Sequence, residues 1–279
     1  MSSRRTFVKK SIAGLSIGAM ATLPENWAVA KETKKEDSFK LAIAGYTFVH
    51  FKLDEALAMM RKVDVQYLCI KDFHLPLKST DAEIAAFHAK LKESNVKGYA
   101  VGPIYAKNEQ LIDEAFEYAK RVGVDLMVGI PDPSQLKYVE SKVKEYNIRY
   151  AIHNHGPDIP QFPSAESIYT EIKDMDPRMG ICFDIGHNVR FGKDSVADMG
   201  KYHKRVFDIH LKNVTAPEKA GKTCELGRGV IDIPAFIKML RKVKYAGTCS
   251  LEYEKDMKDP LAGIAESVGY YHGVVDASK

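Results

Sequence analysis

Val206-Phe207-Asp208-Ile209-His210-Leu211-Lys212-Asn213-Val214 alternates apolar with polar residues for its whole length. A β-strand turns successive side chains to opposite faces, so this stretch puts Asp208, His210 and Lys212 on one side and Phe207, Ile209 and Leu211 on the other. The same split recurs upstream. It opposes Ala151, His153 and His155 to Tyr150 and Ile152, and Cys182, Asp184 and Gly186 to Ile181, Phe183 and Ile185. Downstream it opposes Ser250, Glu252 and Glu254 to Cys249, Leu251 and Tyr253.

Eight such runs follow one another: Leu41–Phe48, Tyr67–Phe73, Gly98–Pro103, Leu126–Ile130, Tyr150–His155, Gly180–Gly186, Val206–Val214 and Thr248–Glu254. Amphipathic stretches lie between them, such as Ala82 to Leu91 and Leu111 to Phe116, and Thr80 with Glu83 spells a capping box at a helix start. Parallel strands need helical crossovers, and closing the sheet removes its edges, so this α/β alternation predicts a single-domain (β/α)8 barrel over residues 39–279. A doubly wound open sheet is the competing arrangement, but no Gly-rich phosphate turn follows the first strand. In a barrel the bulky apolar faces pack on the helices. The small and polar faces then fill the lumen, and the last four strands aim His, Asp, His and Glu at one place.

The chain starts differently. Ser3-Arg4-Arg5-Thr6-Phe7-Val8-Lys9, the apolar run Ile12 to Leu23 and Ala28-Val29-Ala30 read as a twin-arginine export signal over residues 1–30 with a small-residue cleavage site, followed by a charged linker over 31–38. The expectation is a periplasmic protein, handled transiently by the twin-arginine export machinery; retention of the segment as an anchor is the alternative. Of the 41 basic and 37 acidic residues, Arg4, Arg5, Lys9, Lys10 and Glu25 leave with the signal, so 37 minus 36 gives +1. That balance argues against a nucleic-acid partner, and no other stretch approaches the length of a membrane span. The four cysteines form no C-x-x-C pair and read as buried free thiols.

Imidazoles and carboxylates brought from separate strands to the C-terminal mouth of a barrel suit a divalent metal ion. The expected ligands are His153, Asp184, His210 and Glu252, holding one ion (Mn, Co, Mg or Zn). A metal-free polar core is the alternative, although unpaired buried charge is costly.

The segments Ile152–His155, Phe183–His187, Ile209–Asn213 and Leu251–Glu254, with the Gly-x-Gly-x-x-Asp loop Gly227-Arg228-Gly229-Val230-Ile231-Asp232, resemble the xylose-isomerase-like TIM-barrel superfamily. The resemblance spans the chain beyond the signal and implies sugar isomerases, ketose 3-epimerases, dehydratases, keto-sugar lyases or an abasic-site endonuclease. It makes Asp184, His210 and Glu252 metal ligands by position. Its epimerases carry a glutamate where this sequence has His153, and there two metal-bound glutamates work as acid and base on opposite faces of the substrate carbon. The resemblance also marks His187 as a substrate-contacting residue.

Other residues join from the periodicity. Lys71 shares a strand face with Cys69 and is expected at a substrate hydroxyl or enolate; His74 follows it. Glu252, His187, Lys71 and His155 are the catalytic candidates. Lys212, Arg228, Tyr46, Tyr105 and His74 are the substrate-binding candidates, with Tyr46, Phe48 and Tyr105 forming a flat stacking wall for a sugar. His153-Asn154-His155 spells a nuclease motif, but that motif belongs to a ββα site this periodicity does not support. The expected function is proton abstraction beside a sugar carbonyl, leading to β-elimination or hydration of a keto-sugar or keto-glycoside. Isomerisation or 3-epimerisation through an enediolate is the alternative, and a non-catalytic sugar-binding barrel is a third reading; the expected partners are a small carbohydrate and, in a homo-oligomer, further copies of the chain.

Overall fold

The computed structural model describes residues 37–278; the segment expected to be an export signal and nearly all of the expected linker lie outside them. Eight parallel strands close into a barrel: β1 (Lys40–Ala44), β2 (Tyr67–Ile70), β3 (Lys97–Ile104), β4 (Leu126–Gly129), β5 (Arg149–His153), β6 (Met179–Asp184), β7 (Val206–Leu211) and β8 (Thr248–Leu251), with β8 closing onto β1. Around them run α1 (Leu53–Lys62), α2 (Asp81–Glu93), α3 (Glu109–Val122), α4 (Leu136–Tyr146), α5 (Ala165–Ile172), α6 (Ile185–Arg190), α7 (Ser195–Tyr202), α8 (Ile233–Lys242) and α9 (Leu261–Ala277). A two-stranded antiparallel ribbon, Asn213–Val214 with Thr223–Cys224, sits beyond β7. Among the described residues no helix is long and apolar enough to cross a membrane.

Local chemistry sets the helix ends. The capping box at α2 is formed, with Thr80 N donating to Glu83 Oε2 at 2.7 Å and Glu83 N to Thr80 Oγ1 at 3.3 Å. Asn108 caps α3 through Leu111 N, and Gly123 ends it in the left-handed conformation at φ 77°. Tyr150, Ile152, Ile181, Phe183, Ile209, Leu211, Cys249 and Leu251 all join the apolar layer between strands and helices. Inside the barrel a smaller cluster of Cys69, Ala100, Leu126, Val128, Ala151 and Cys182 fills the lumen. All four cysteines are buried and free.

Three details depart from the strand reading. β1 stops at Ala44, and Gly45–Phe48 turns as a 3-10 helix. A Cβ on Gly45 would lie 2.6 Å from the Cys69 carbonyl oxygen, so the chain turns where only glycine lets the backbones meet. That turn carries Phe48 into the core, fully buried, so it is no part of a stacking wall. Gly186 is not a lumen-facing strand residue, because α6 begins directly after Asp184. Phe207 does not join its expected face: β6 pairs Ile181 with Val206 and Cys182 with Asp208, leaving Phe207 as an extra residue in a bulge, packed against the inner cluster.

Candidate metal centre

Strand pairing assembles the site. Asp184 lies beside His210 across β6 and β7, and Ser250 beside His210 across β7 and β8, so Glu252 emerges just past the end of β8 next to them. His153 closes the group from β5. His153 Nε2 is 2.9 Å from His210 Nδ1 and 3.7 Å from Asp184 Oδ2, and His210 Nδ1 is 3.2 Å from Glu252 Oε2. One ligand atom from each of the four residues lies within 4.8 Å of every other, and all four residues are buried.

The group fits a divalent ion on its own chemistry. Two imidazoles and two carboxylates are an ordinary donor set for such a cation. Asp184 Oδ2 is buried with no hydrogen-bond donor aligned on it, and two imidazole nitrogens face each other at hydrogen-bond distance with carboxylate on either side. Lys212 is also buried here, its Nζ 2.8 Å from Glu252 Oε2, 3.0 Å from Glu254 Oε2 and 3.2 Å from Asp184 Oδ2. Three carboxylates against one ammonium leave two negative charges, which a dication balances.

The buried charges set one another's protonation. Burial disfavours the Lys212 ammonium, but Asp184, Glu252 and Glu254 overcome it and hold the group charged. Burial likewise opposes ionisation of Glu252, yet Lys212 and His210 hold its carboxyl well below the usual range. Burial pushes Asp184 up to about 6, against Lys212. Burial would lower His210, but Glu252, Asp208 and Asp184 raise it to about 9. His153 is driven well down by burial and by His155 and His210, so its imidazole is neutral, as a ligand must be.

A pH dependence follows. A group whose pKa is raised on folding stabilises the fold below its unfolded value and loses that contribution as pH climbs through the folded one. For His210 this window runs from 6.5 to about 9. Asp184, raised from 3.8 to about 6, acts in the same sense at lower pH. Metal-free protein should therefore melt at falling temperature between pH 6.5 and 9. Metal affinity should rise over the same interval, by about tenfold per pH unit for one proton released. Thermal melts with chelator and titrations with zinc check both; a pH-independent affinity would contradict the protonated state of His210.

Two asparagines hold the frame. Asn154 clamps Asp184, its Nδ2 donating to the Asp184 carbonyl and its Oδ1 accepting from the Asp184 amide, both at 2.9 Å. The other carboxylate oxygen, Asp184 Oδ1, caps α6 by accepting from His187 N at 2.7 Å. Asn213 donates to the carbonyls of Leu226 and Ile231 and accepts from the amides of Val214 and Ile231, pinning the Gly227–Asp232 loop, where a Cβ on Gly229 would strike its side chain. Neither asparagine was given a role from sequence, because a buried amide reveals its partners only once the strands are in register.

His155 lies just past β5 with its Nδ1 3.1 Å from His153 Nδ1 and its Nε2 3.3 Å from the Tyr105 hydroxyl. Its ring centroid is 5.3 Å from that of His187. Burial lowers His155 to about 4, and burial with Lys212 lowers His187 further below its usual range, so both are neutral bases at the mouth. Tyr46 and Tyr105 are exposed at this end. Lys71 is buried, its Nζ donating to the Pro103 carbonyl at 2.7 Å and paired with Asp72 at 2.9 Å. His74 Nε2 bonds the Phe51 carbonyl at 2.9 Å, a loop contact. Arg228 is exposed to solvent and held in a two-pronged pair by Glu266 on α9, with both contacts at 2.6 Å. Its contacts among the described residues do not include the quartet, so the structure does not bring it to the site.

Residues 39–272 match the family described as the xylose isomerase-like TIM barrel. The chain belongs to this family. No curated protein sequence matches it. Among solved structures, this xylose isomerase-like barrel is similar to an uncharacterized protein from Parabacteroides distasonis, at 28% identity and TM-score 0.67, covering 85% of this chain and 99% of the other. The IolI protein with a bound zinc atom follows at 16% identity and TM-score 0.73, covering 86% and 99%. A probable 3-DHS dehydratase, AsbF, involved in petrobactin synthesis in Bacillus anthracis, aligns at 13% identity and TM-score 0.68, covering 84% and 99%. The last two share the fold at identities too low to carry more.

Proposed function

We propose that this xylose isomerase-like barrel is an exported, divalent-metal-dependent enzyme that removes a proton beside the carbonyl of a keto-sugar or keto-glycoside and expels the β-substituent. His153 is the observation that carries this reading. Its Nε2 points into the quartet and its Nδ1 faces His155, so neither nitrogen is turned to substrate. The residue standing where the family's epimerases place a second glutamate therefore cannot serve a second substrate face.

A divalent cation held by His153, Asp184, His210 and Glu252 would polarise the substrate carbonyl and acidify the adjoining C–H. Glu252, kept ionised, accepts that proton. Lys212, kept charged 2.8 Å from Glu252, stabilises negative charge growing on the oxygen. The C–H electrons move into the new double bond as the β C–O bond breaks. The leaving oxygen takes its proton from the Tyr105–His155 pair, whose phenol stands at the solvent edge. Addition of water in the reverse sense gives hydration. A zinc-bound relative and a dehydratase of the same fold support this class of chemistry without naming the substrate.

The reading is tested by offering the metal-loaded protein a 3-keto-glycoside and, separately, free ketoses. Mass spectrometry should find released aglycone and an unsaturated keto-sugar. Efficient 3-epimerisation of free ketoses with no elimination product would establish the epimerase instead.

Export has its own test. Trp27 is the only tryptophan and precedes the proposed cleavage after Ala30. Protein purified from the native envelope should emit as tyrosine alone; a tryptophan band would refute cleavage there.

A further inference from the structure

Beneath the quartet, the lumen floor holds a polar group that the reaction above leaves unused. Asp208 precedes His210 by two positions on β7 and so shares its face, and it is fully buried. Its Oδ2 accepts from the Tyr99 hydroxyl at 2.8 Å, and that hydroxyl also bonds Ser250 Oγ. The surroundings are otherwise the small apolar lining of Cys69, Ala100, Ala151 and Cys182. A carboxylate here, with no basic side chain bonded to it, is costly unless something needs it.

His210 is what faces it. The Nδ1 edge of that ring looks up to His153 Nε2 and Glu252 Oε2, within the ligand group. The Nε2 edge looks down, 3.9 Å from Asp208 Oδ2. Both His210 Nε2 and Asp208 Oδ1 are buried without a hydrogen-bond partner. The unpartnered Nε2 of His210 thus faces a carboxylate whose Oδ2 already accepts from Tyr99 and from the Cys182 thiol and whose Oδ1 has no partner. The gap exceeds a hydrogen bond, and a shift of under about 1 Å in either side chain closes it. An imidazole binds a cation through the nitrogen without hydrogen, and a partner on its other nitrogen fixes which one that is.

We propose that Asp208, braced by Tyr99 and Ser250, is a positioning residue that keeps the hydrogen of His210 on Nε2 and so turns Nδ1 to the metal ion. The assignment rests on the metal-site reading of the quartet. It also explains why a tyrosine, a serine and an acid occupy an interior that Ala and Cys otherwise fill.

The test uses the full chain with histidine labelled in both ring nitrogens. Zinc affinity is read by competition with a chromogenic chelator. The position of the His210 hydrogen is read by long-range proton–nitrogen NMR in the zinc-loaded protein. The parent should carry hydrogen on Nε2 there. Asp208→Asn should weaken zinc binding about 10- to 100-fold. Tyr99→Phe, which keeps the acid but removes its brace, should give a smaller loss of the same sign. Asp208→Asn binding zinc within twofold of the parent, with Nε2–H unchanged, would overturn the assignment. So would hydrogen on Nδ1 in the parent, a result available even if the variant does not fold. A parent that binds no zinc at all refutes the metal-site reading and the positioning role with it, whereas a parent that binds zinc and is unmoved by Asp208→Asn refutes the positioning role alone.

Discussion

Replacing His210 with alanine is expected to abolish stoichiometric binding of a divalent ion and to reduce turnover to that of chelator-treated parent. The imidazole is fully buried, and its Nδ1 lies 2.9 Å from one proposed ligand and 3.2 Å from another. Removing it takes an imidazole donor from the centre of the set, so affinity should fall more than about a hundredfold, beyond what loss of a supporting contact does. The barrel should survive. The side chain lies near the strand's C-terminal end, where conserving the scaffold depends on the apolar face of β7, carried by Ile209 and Leu211. Elemental analysis beside far-UV circular dichroism separates the two effects. Equal metal content in variant and parent would remove His210 from the ligand set.

Changing His153 to glutamate is expected to shift the reaction itself. In the parent both imidazole nitrogens are engaged, one in the quartet and one with His155. A glutamate can give one oxygen to the quartet and leave the other for the substrate. That supplies a second proton acceptor, the arrangement that epimerisation across a planar carbon needs. Epimerisation of free ketoses should then rise at least about tenfold while elimination falls, a floor set below the roughly 10²–10⁴ that a well-positioned acid or base contributes. Product ratios by NMR in deuterated water read this directly. An unchanged ratio in a folded, metal-binding variant would show that His153 does not choose between the outcomes.

Much of this site could be read before any coordinates because a strand's period is two. His153, Asp184, His210 and Glu252 sit on the small-residue faces of successive strands, opposite Ile152, Phe183, Ile209 and Leu251, and a closed barrel has only one interior for them. The same arithmetic failed where the chain left regular strand. Gly45 starts a turn and takes Phe48 into the core, α6 starts at Ile185 and removes Gly186 from the lumen wall, and the bulge at Phe207 flips one residue out of phase. Arg228 was drawn toward the substrate by its place in a loop, but Glu266 holds it, a partner nearly forty residues away on another element. Asn154, Asn213 and Asp208 were passed over for the converse reason. Each acts through a bond to a neighbouring strand or loop, and polar residues inside alternating runs carry no mark of which ones will find partners.

The central claim is metal-dependent elimination from a keto-glycoside, and one measurement meets it most directly. The protein is stripped with chelator, reloaded with a single divalent ion per chain, and incubated with a 3-keto-glycoside in deuterated water while mass spectrometry follows the products. The account predicts no reaction in the stripped protein and release of aglycone with an unsaturated keto-sugar on reloading. Undiminished turnover in the stripped protein, or a deuterated epimer as the only product, would contradict it.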